Sequence, residues 1–238
     1  NDPRLGSALK QRLEHGKVRA ELNFIRKDQS IVPTEVSSAI FRDDNGEPWT
    51  VVIVRDMSMY IAAEQALKKA QEKSNYYAMY DYLTGILNRR AFMDRLDEEL
   101  CRSKREKTSF SIILLDIDHF KRINDKMGHS CGDDVLKYIA SLLAEKLRPY
   151  DVLGRYGGDE FIILLPNTTK QAAQEIGERL RSHIASSRMD FEHNTISETI
   201  SVGLACHDPP SDEDIDALIV RADSNLYLAK RKRNAVFG

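Results

Sequence analysis

The sequence has no apolar run approaching the ~20 residues that a bilayer-spanning helix needs, so no membrane segment is expected in this chain. Asn1 to Lys10 lacks the basic-then-apolar order of a secretory signal. A basic excess is missing too. Lys and Arg number 35 against 37 Asp and Glu, a formal net charge of −2, which argues against a nucleic acid polymer as partner and leaves small anionic ligands open. Cysteine is scarce: Cys101, Cys131 and Cys206 are an odd number, far apart, without the close spacing of a zinc site or redox motif. Reduced thiols and a cytoplasmic location are expected, the chain being either free or the cytoplasmic part of a longer, anchored protein. What is present is 238 residues, 42% apolar and 30% charged, enough for one sizeable core and a smaller unit.

Residues 18 to 56 alternate like half-buried strands. Val18, Ala20, Leu22 and Phe24 share one face, Ile31 to Phe41 and Trp49 to Val54 follow, and polar turns at residues 27–30 and 43–47 separate them. A three-stranded antiparallel meander is predicted. Arg26-Lys27-Asp28, Val32-Pro33 and the closing Val54-Arg55-Asp56-Met57-Ser58 resemble the second half of a PAS sensor domain, so residues 1–57 are expected to be a partial PAS-like fragment; the residues alone fit a generic meander equally well.

Between Tyr60 and Tyr80 there is neither Gly nor Pro, and Tyr60, Ala63, Leu67, Ala70, Ser74 and Tyr77 recur at alternating spacings of three and four. A helical linker over 58–80 is predicted, with Ser58 as its N-cap. It reads either as a weak coiled-coil stalk that pairs two chains or as a helix packed on its own domain.

Residues 81–238 carry the chemistry. Asp81-Tyr82-Leu83-Thr84 breaks the helix, Ser109 to Leu115 reads as a buried strand running into Asp116, and helices are predicted near 91–103, 133–147, 170–185 and 215–230. Arg155-Tyr156-Gly157-Gly158-Asp159-Glu160-Phe161 places two adjacent carboxylates on a glycine turn between two strands. Together with Leu115-Asp116-Ile117-Asp118-His119-Phe120-Lys121, Asn124-Asp125 and Gly132-Asp133, this resembles the signature of the GGDEF family of diguanylate cyclases. The order of elements suggests an α+β domain. The resemblance implies the palm-like nucleotide-cyclase fold, a largely antiparallel central sheet flanked by helices.

The resemblance also implies roles. Asp116 and Glu160 hold Mg²⁺ or Mn²⁺ by side chain and Ile117 by its carbonyl, hard oxygen donors of the kind such ions prefer. His119, Phe120 and Lys121 cradle phosphates, joined by Lys230 and by Arg233, whose segment is one residue shorter than the family's and lacks its glycine. Asn124 and Asp133 read guanine, whose two N–H donors suit a carboxylate. Asp159, beside Glu160, positions or deprotonates the attacking hydroxyl. The implied reaction condenses two GTP into cyclic di-GMP with loss of two pyrophosphates, across a homodimer paired through the helix. Arg148-Pro149-Tyr150-Asp151 matches the family's RxxD product-inhibition site, with Arg179 as a further contact. The alternative is a catalytically weak member that binds GTP or cyclic di-GMP as an effector.

Overall fold

The computed structural model describes residues 2–191 and 194–238. It divides into two compact units, Asn1–Ser74 and Asn75–Gly238.

The first unit holds the predicted meander, β1 (Lys17–Ile25), β2 (Ile31–Arg42) and β3 (Pro48–Asp56), antiparallel in that order. A helix that strand alternation does not announce, α1 (Arg4–His15), precedes it. Its signal was present in Leu5, Ala8, Leu9 and Arg12, followed by Gly16, which takes φ 70° and donates its N–H to the Arg12 carbonyl. α1 lies over β1 and β2, where Ala8, Leu22, Val32 and Val36 are buried. β3 is exposed along its whole length, Trp49 and Ile53 included. The helix α2 (Ser58–Met79) follows, and the unit boundary falls inside it. Ser58 is its first residue and not its cap. The Asp56 carboxylate instead accepts the Ser58 N–H at 2.8 Å, because the chain leaves β3 in a turn that brings Asp56 over the helix start. The predicted seam residues Tyr60 and Leu67 are exposed.

In the second unit a six-stranded sheet is built from β4 (Leu87–Asn88), β5 (Phe110–Ile117), β6 (Val152–Gly157), β7 (Glu160–Leu165), β10 (Ile200–His207) and β11 (Val236–Phe237). Its order is β11-β10-β5-β7-β6-β4, antiparallel except at the two outermost pairs. A small ribbon, β8 (Met189–Phe191) with β9 (Asn194–Ile196), stands apart. The helices are α3 (Arg89–Glu106), α4 (Phe120–Met127), α5 (His129–Glu145), α6 (Lys170–Ser186) and α7 (Ile215–Lys232). This is the expected α+β architecture, with α4 added and α5 starting four residues earlier than predicted.

The period of two along β5 sorts its side chains between two layers. Ile113, Leu115 and Ile117 face α5 and α6, while Phe110, Ile112 and Leu114 face α3 and α7. β5 is central because both its faces are apolar, and each Ile or Leu so buried is worth roughly 1.5–3 kcal/mol. β7 repeats the division with Phe161, Ile163 and Leu165 against Ile162 and Leu164. The even phase of both strands therefore points toward α7. Gly203 on β10 lets that helix lie directly on the sheet: a Cβ there would stand 2.1 Å from the Leu226 backbone N and 2.4 Å from the Ala222 carbonyl O.

Candidate functional site

Asp116 continues the α7-facing phase of β5, and Glu160 opens the same phase of β7, so the two stand directly opposite in the antiparallel register. Asp116 thus lies within β5, not beyond its end. In the β6–β7 hairpin only Gly158, at φ 49°, uses the left-handed region; Asp159 occupies the turn, and Glu160 is already in the strand. The sequence pair is thereby split, Glu160 toward Asp116 and Asp159 at the tip.

Lys230, one turn beyond Leu226 on α7, reaches both strand carboxylates, its Nζ 2.7 Å from Asp116 Oδ2 and 3.4 Å from Glu160 Oε1. Burial pushes Asp116 up to about 6; the hydrogen bond from Lys230 works against this, and the charges of Asp159 and Glu160 add to it. Lys230 loses some of its charge preference to burial, but Asp116 and Glu160 outweigh that and hold it above the usual lysine range. A cation is what this pair of acids calls for, and the chain supplies one of its own.

Beside the acids lies a cleft of about 290 Å³ lined by Asp116 to Arg122, Asp159, Lys230 and Arg233. His119 takes φ 61°, and α4 starts at Phe120 without a side-chain cap, so the first N–H groups of the helix and the positive end of its dipole are open to anions. Lys121 is exposed on the first turn, and the Arg233 guanidinium meets the His119 ring. Acid at one end and base at the other, the cleft suits a polyphosphate with a divalent cation. Among the described residues no group of three or more His, Cys, Asp or Glu is gathered for a metal. The donor set of two in-register carboxylates and the adjoining Ile117 carbonyl nonetheless fits Mg²⁺, which keeps several waters and takes phosphate oxygens.

Asn124 and Asp133 lie on α4 and α5, outside the lining of that cleft. Asn124 sits against Gly132, where a Cβ would come within 2.0 Å of its Oδ1, and Asp133 is exposed next door. Asp134 pairs with Lys137 at 2.8 Å. At the far end of α5, the Asp151 carboxylate accepts the Arg148 N–H at 2.8 Å, Arg148 Nη1 donates to the Tyr150 hydroxyl at 3.1 Å, and Arg179 donates to the Lys146 carbonyl at 3.1 Å. Burial raises the Asp151 pKa against the opposing charges of Arg148 and Arg179, so the three groups share one neighbourhood.

Sequence reasoning missed two contacts that hold the hairpin and the cleft. Arg155 is a bridge: its Nη1 meets Asp81 at 3.0 Å and its Nε and Nη2 donate to the Gly158 carbonyl at 3.0 and 2.7 Å. Burial raises the Asp81 pKa, but Thr84 and Arg155 outweigh it and hold this carboxyl below the usual range. Asp118 is almost fully buried and accepts from Thr199, Ser201 and the Asn234 backbone. Only their place in the signature stretches was visible; apart from Gly158, their partners lie 74 or more residues away.

Residues 78–235 match the family model described as "Diguanylate cyclase, GGDEF domain". The chain is 43% identical over 160 residues to the diguanylate cyclase DgcP of Pseudomonas aeruginosa, covering 67% of this chain and 24% of that protein. With the response regulator PleD of Caulobacter vibrioides it shares 39% over 175 residues, covering 72% of this chain and 38% of PleD. The chain thus spans well under half the length of these relatives. The coiled coil and GGDEF domain of DgcB from Caulobacter crescentus, solved in complex with c-di-GMP, superposes with a TM-score of 0.68 at 31% identity, covering 76% of this chain and 96% of that one. Matched along most of its length by the family model, and with the signature hairpin set against Asp116 in the sheet, the chain belongs to the GGDEF domain family of diguanylate cyclases.

Proposed function

We propose that this protein is a diguanylate cyclase, joining two GTP molecules into cyclic di-GMP. The observation that carries the reading is the in-register pairing of Asp116 with Glu160, bridged by Lys230, at the mouth of a cleft whose other end is basic. In each of two steps the ribose 3′-oxygen of one GTP forms a bond to the α-phosphorus of the other. The bond from that phosphorus to the β-phosphate bridging oxygen breaks, pyrophosphate leaves, and the hydroxyl proton goes to Asp159 or through it to water.

Asp116, Glu160 and the Ile117 carbonyl would hold Mg²⁺ or Mn²⁺, which supplies charge neutralisation on the phosphates when bound. Lys230, which reaches both carboxylates from α7, binds the terminal phosphates. The N–H groups at the start of α4, with Lys121 and Arg233, bind the same phosphates, and Asp159 orients the attacking hydroxyl. Asn124 and Asp133 accept the guanine N–H donors. One domain holding one GTP cannot complete the reaction, so two domains must meet face to face, and the exposed Leu67 and Ala70 on α2 are the surface we assign to pairing. Residues 1–57 serve as the input element, and Arg148, Asp151 and Arg179 form the product-inhibition site.

The test is incubation of purified protein with GTP and Mg²⁺, followed by separation of products. Cyclic di-GMP and pyrophosphate in a ratio of one to two are expected; intact GTP at high enzyme concentration would overturn the reading. Rate per chain is expected to fall on dilution through the monomer–dimer range, and more steeply when Leu67 is replaced by Glu.

A further inference from the structure

Two residues after Asp116 stands a carboxylate with a different fate. Asp118 is 4% exposed and lies where β5 hands over to α4. Its Oδ2 accepts the Thr199 hydroxyl at 2.6 Å and the Asn234 backbone N–H at 2.9 Å, its Oδ1 accepts the Ser201 hydroxyl at 2.7 Å, and its own N–H donates to the Thr199 carbonyl at 2.9 Å. Three segments are joined through one side chain: the β5–α4 turn, the start of β10, and the turn that ends α7. Those donors are the reason for a carboxylate. All three point inward, and an acceptor-only group satisfies them together, whereas an amide would aim its own N–H groups at one of them.

We propose that Asp118 is a positioning residue for nucleotide phosphates, fixing the end of α7, and so Lys230 and Arg233, against the turn that carries His119. The backbone there needs fixing. Arg233 and Asn234 both have positive φ, 60° and 42°, conformations that L side chains rarely take unless their surroundings impose them. The Asn234 N–H bond to Asp118 imposes it from one side, and the Arg233 N–H bond to the Ala229 carbonyl, at 2.6 Å, from the other. Within this turn, Arg233 meets the His119 ring, and His119 follows Asp118 in sequence. The carboxylate therefore ties together, from beneath, the two sides of the phosphate end of the cleft. Asp118 touches no reacting atom, and its effect passes through Arg233 and Lys230.

This inference rests on the proposed GTP site, so the experiment separates the two. Binding is measured by calorimetry in Mg²⁺ with a GTP analogue whose α- and β-phosphorus atoms are joined by a methylene group, which cannot release pyrophosphate, and with GMP, which lacks the terminal phosphates. In Asp118→Asn, affinity for the analogue is expected to fall by about tenfold, the loss of one charged hydrogen-bond arrangement, while GMP affinity stays within about twofold. In an Arg233→Ala background the same change is expected to cost less, because its effect runs through that arginine. Ser201→Ala and Thr199→Val, which each remove one donor, should shift the analogue in the same direction by less, and they provide the answer if Asp118→Asn does not fold. Equal losses for analogue and GMP, or no loss for either, overturn the positioning role while leaving the GTP site standing. Failure of the unmutated protein to prefer the guanine analogue over its adenine counterpart overturns the GTP site itself.

Discussion

The cleft at the end of β5 and the corner at the end of α5 each bring an acid beside basic side chains, but they are built to different degrees. In the cleft, Asp116 is half-buried, is raised to about 6 by that burial and by neighbouring acids, and is relieved by a lysine from a helix far along the chain. In the corner, Asp151 accepts a backbone N–H three residues away, Arg148 reaches Tyr150, and Arg179 reaches a backbone carbonyl. The first arrangement stores unfavourable electrostatics that a divalent cation would relieve. The second is a satisfied local turn whose arginines exchange weak contacts if a ligand comes. Catalysis should therefore depend steeply on the first and regulation gently on the second.

The sharpest way to break that contrast is Glu160→Gln, which keeps shape and removes one charge of the facing pair. Cyclic di-GMP synthesis is expected to fall by about 10²–10³-fold or more with the melting temperature little changed. Near-normal turnover would mean the pair is not the metal site. Asp133→Ala comes next. A loss of about 10–100-fold in GTP affinity is expected, with ATP no better or worse than before, as read by competition binding.

A pH titration sharpens the same comparison. Because Asp116 holds its proton up to about 6, cation affinity in the cleft should rise about tenfold per pH unit below that value and level off above it, as Mn²⁺ binding followed by water relaxation would show. Without a cation the sign for stability is the opposite. The folded form keeps the Asp116 proton to about 6 while the unfolded chain releases it near 3.8, so this group's contribution is fully present below 3.8 and is lost as pH rises through that window. Thermal melts with and without Mg²⁺ should diverge as pH passes 6. The smallest effect is expected at the corner: Arg148→Ala should leave the initial rate within about twofold and weaken inhibition by added cyclic di-GMP. If progress curves of the variant and the unmutated protein slow equally, the corner is only a helix end and a turn.

Much of this was legible in the chain because the signals are local. Alternation in residues 18–56 and the apolar run of β5 reported strands, and the Gly-Gly-Asp-Glu stretch reported a hairpin, since pleat and turn are decided by near neighbours. α1 was missed because its apolar face is short and sparse, Leu5, Ala8 and Leu9, beside a strong strand signal. The Ser58 cap was misassigned because the helix begins earlier than the pattern suggested: Ser58 is already in the first turn of α2, and its own N–H is taken by Asp56, two residues before it.

By itself the sequence determined the types of the elements, the acids available and, through a strict period of two, that Asp116 and Glu160 would each share a face with the apolar residues of its own strand. It carried no information that this face looks at α7. Only the tertiary structure decided that β5 pairs with β7 in the register that sets those acids opposite, that Gly203 lets α7 approach until Lys230 reaches both, and that Asp118 closes on Thr199, Ser201 and Asn234. The physical reason is that strand register and helix placement are settled by how whole layers pack, over separations from 44 residues between Asp116 and Glu160 to 116 between Asp118 and Asn234, and no local pattern encodes which distant donor a buried carboxylate will find.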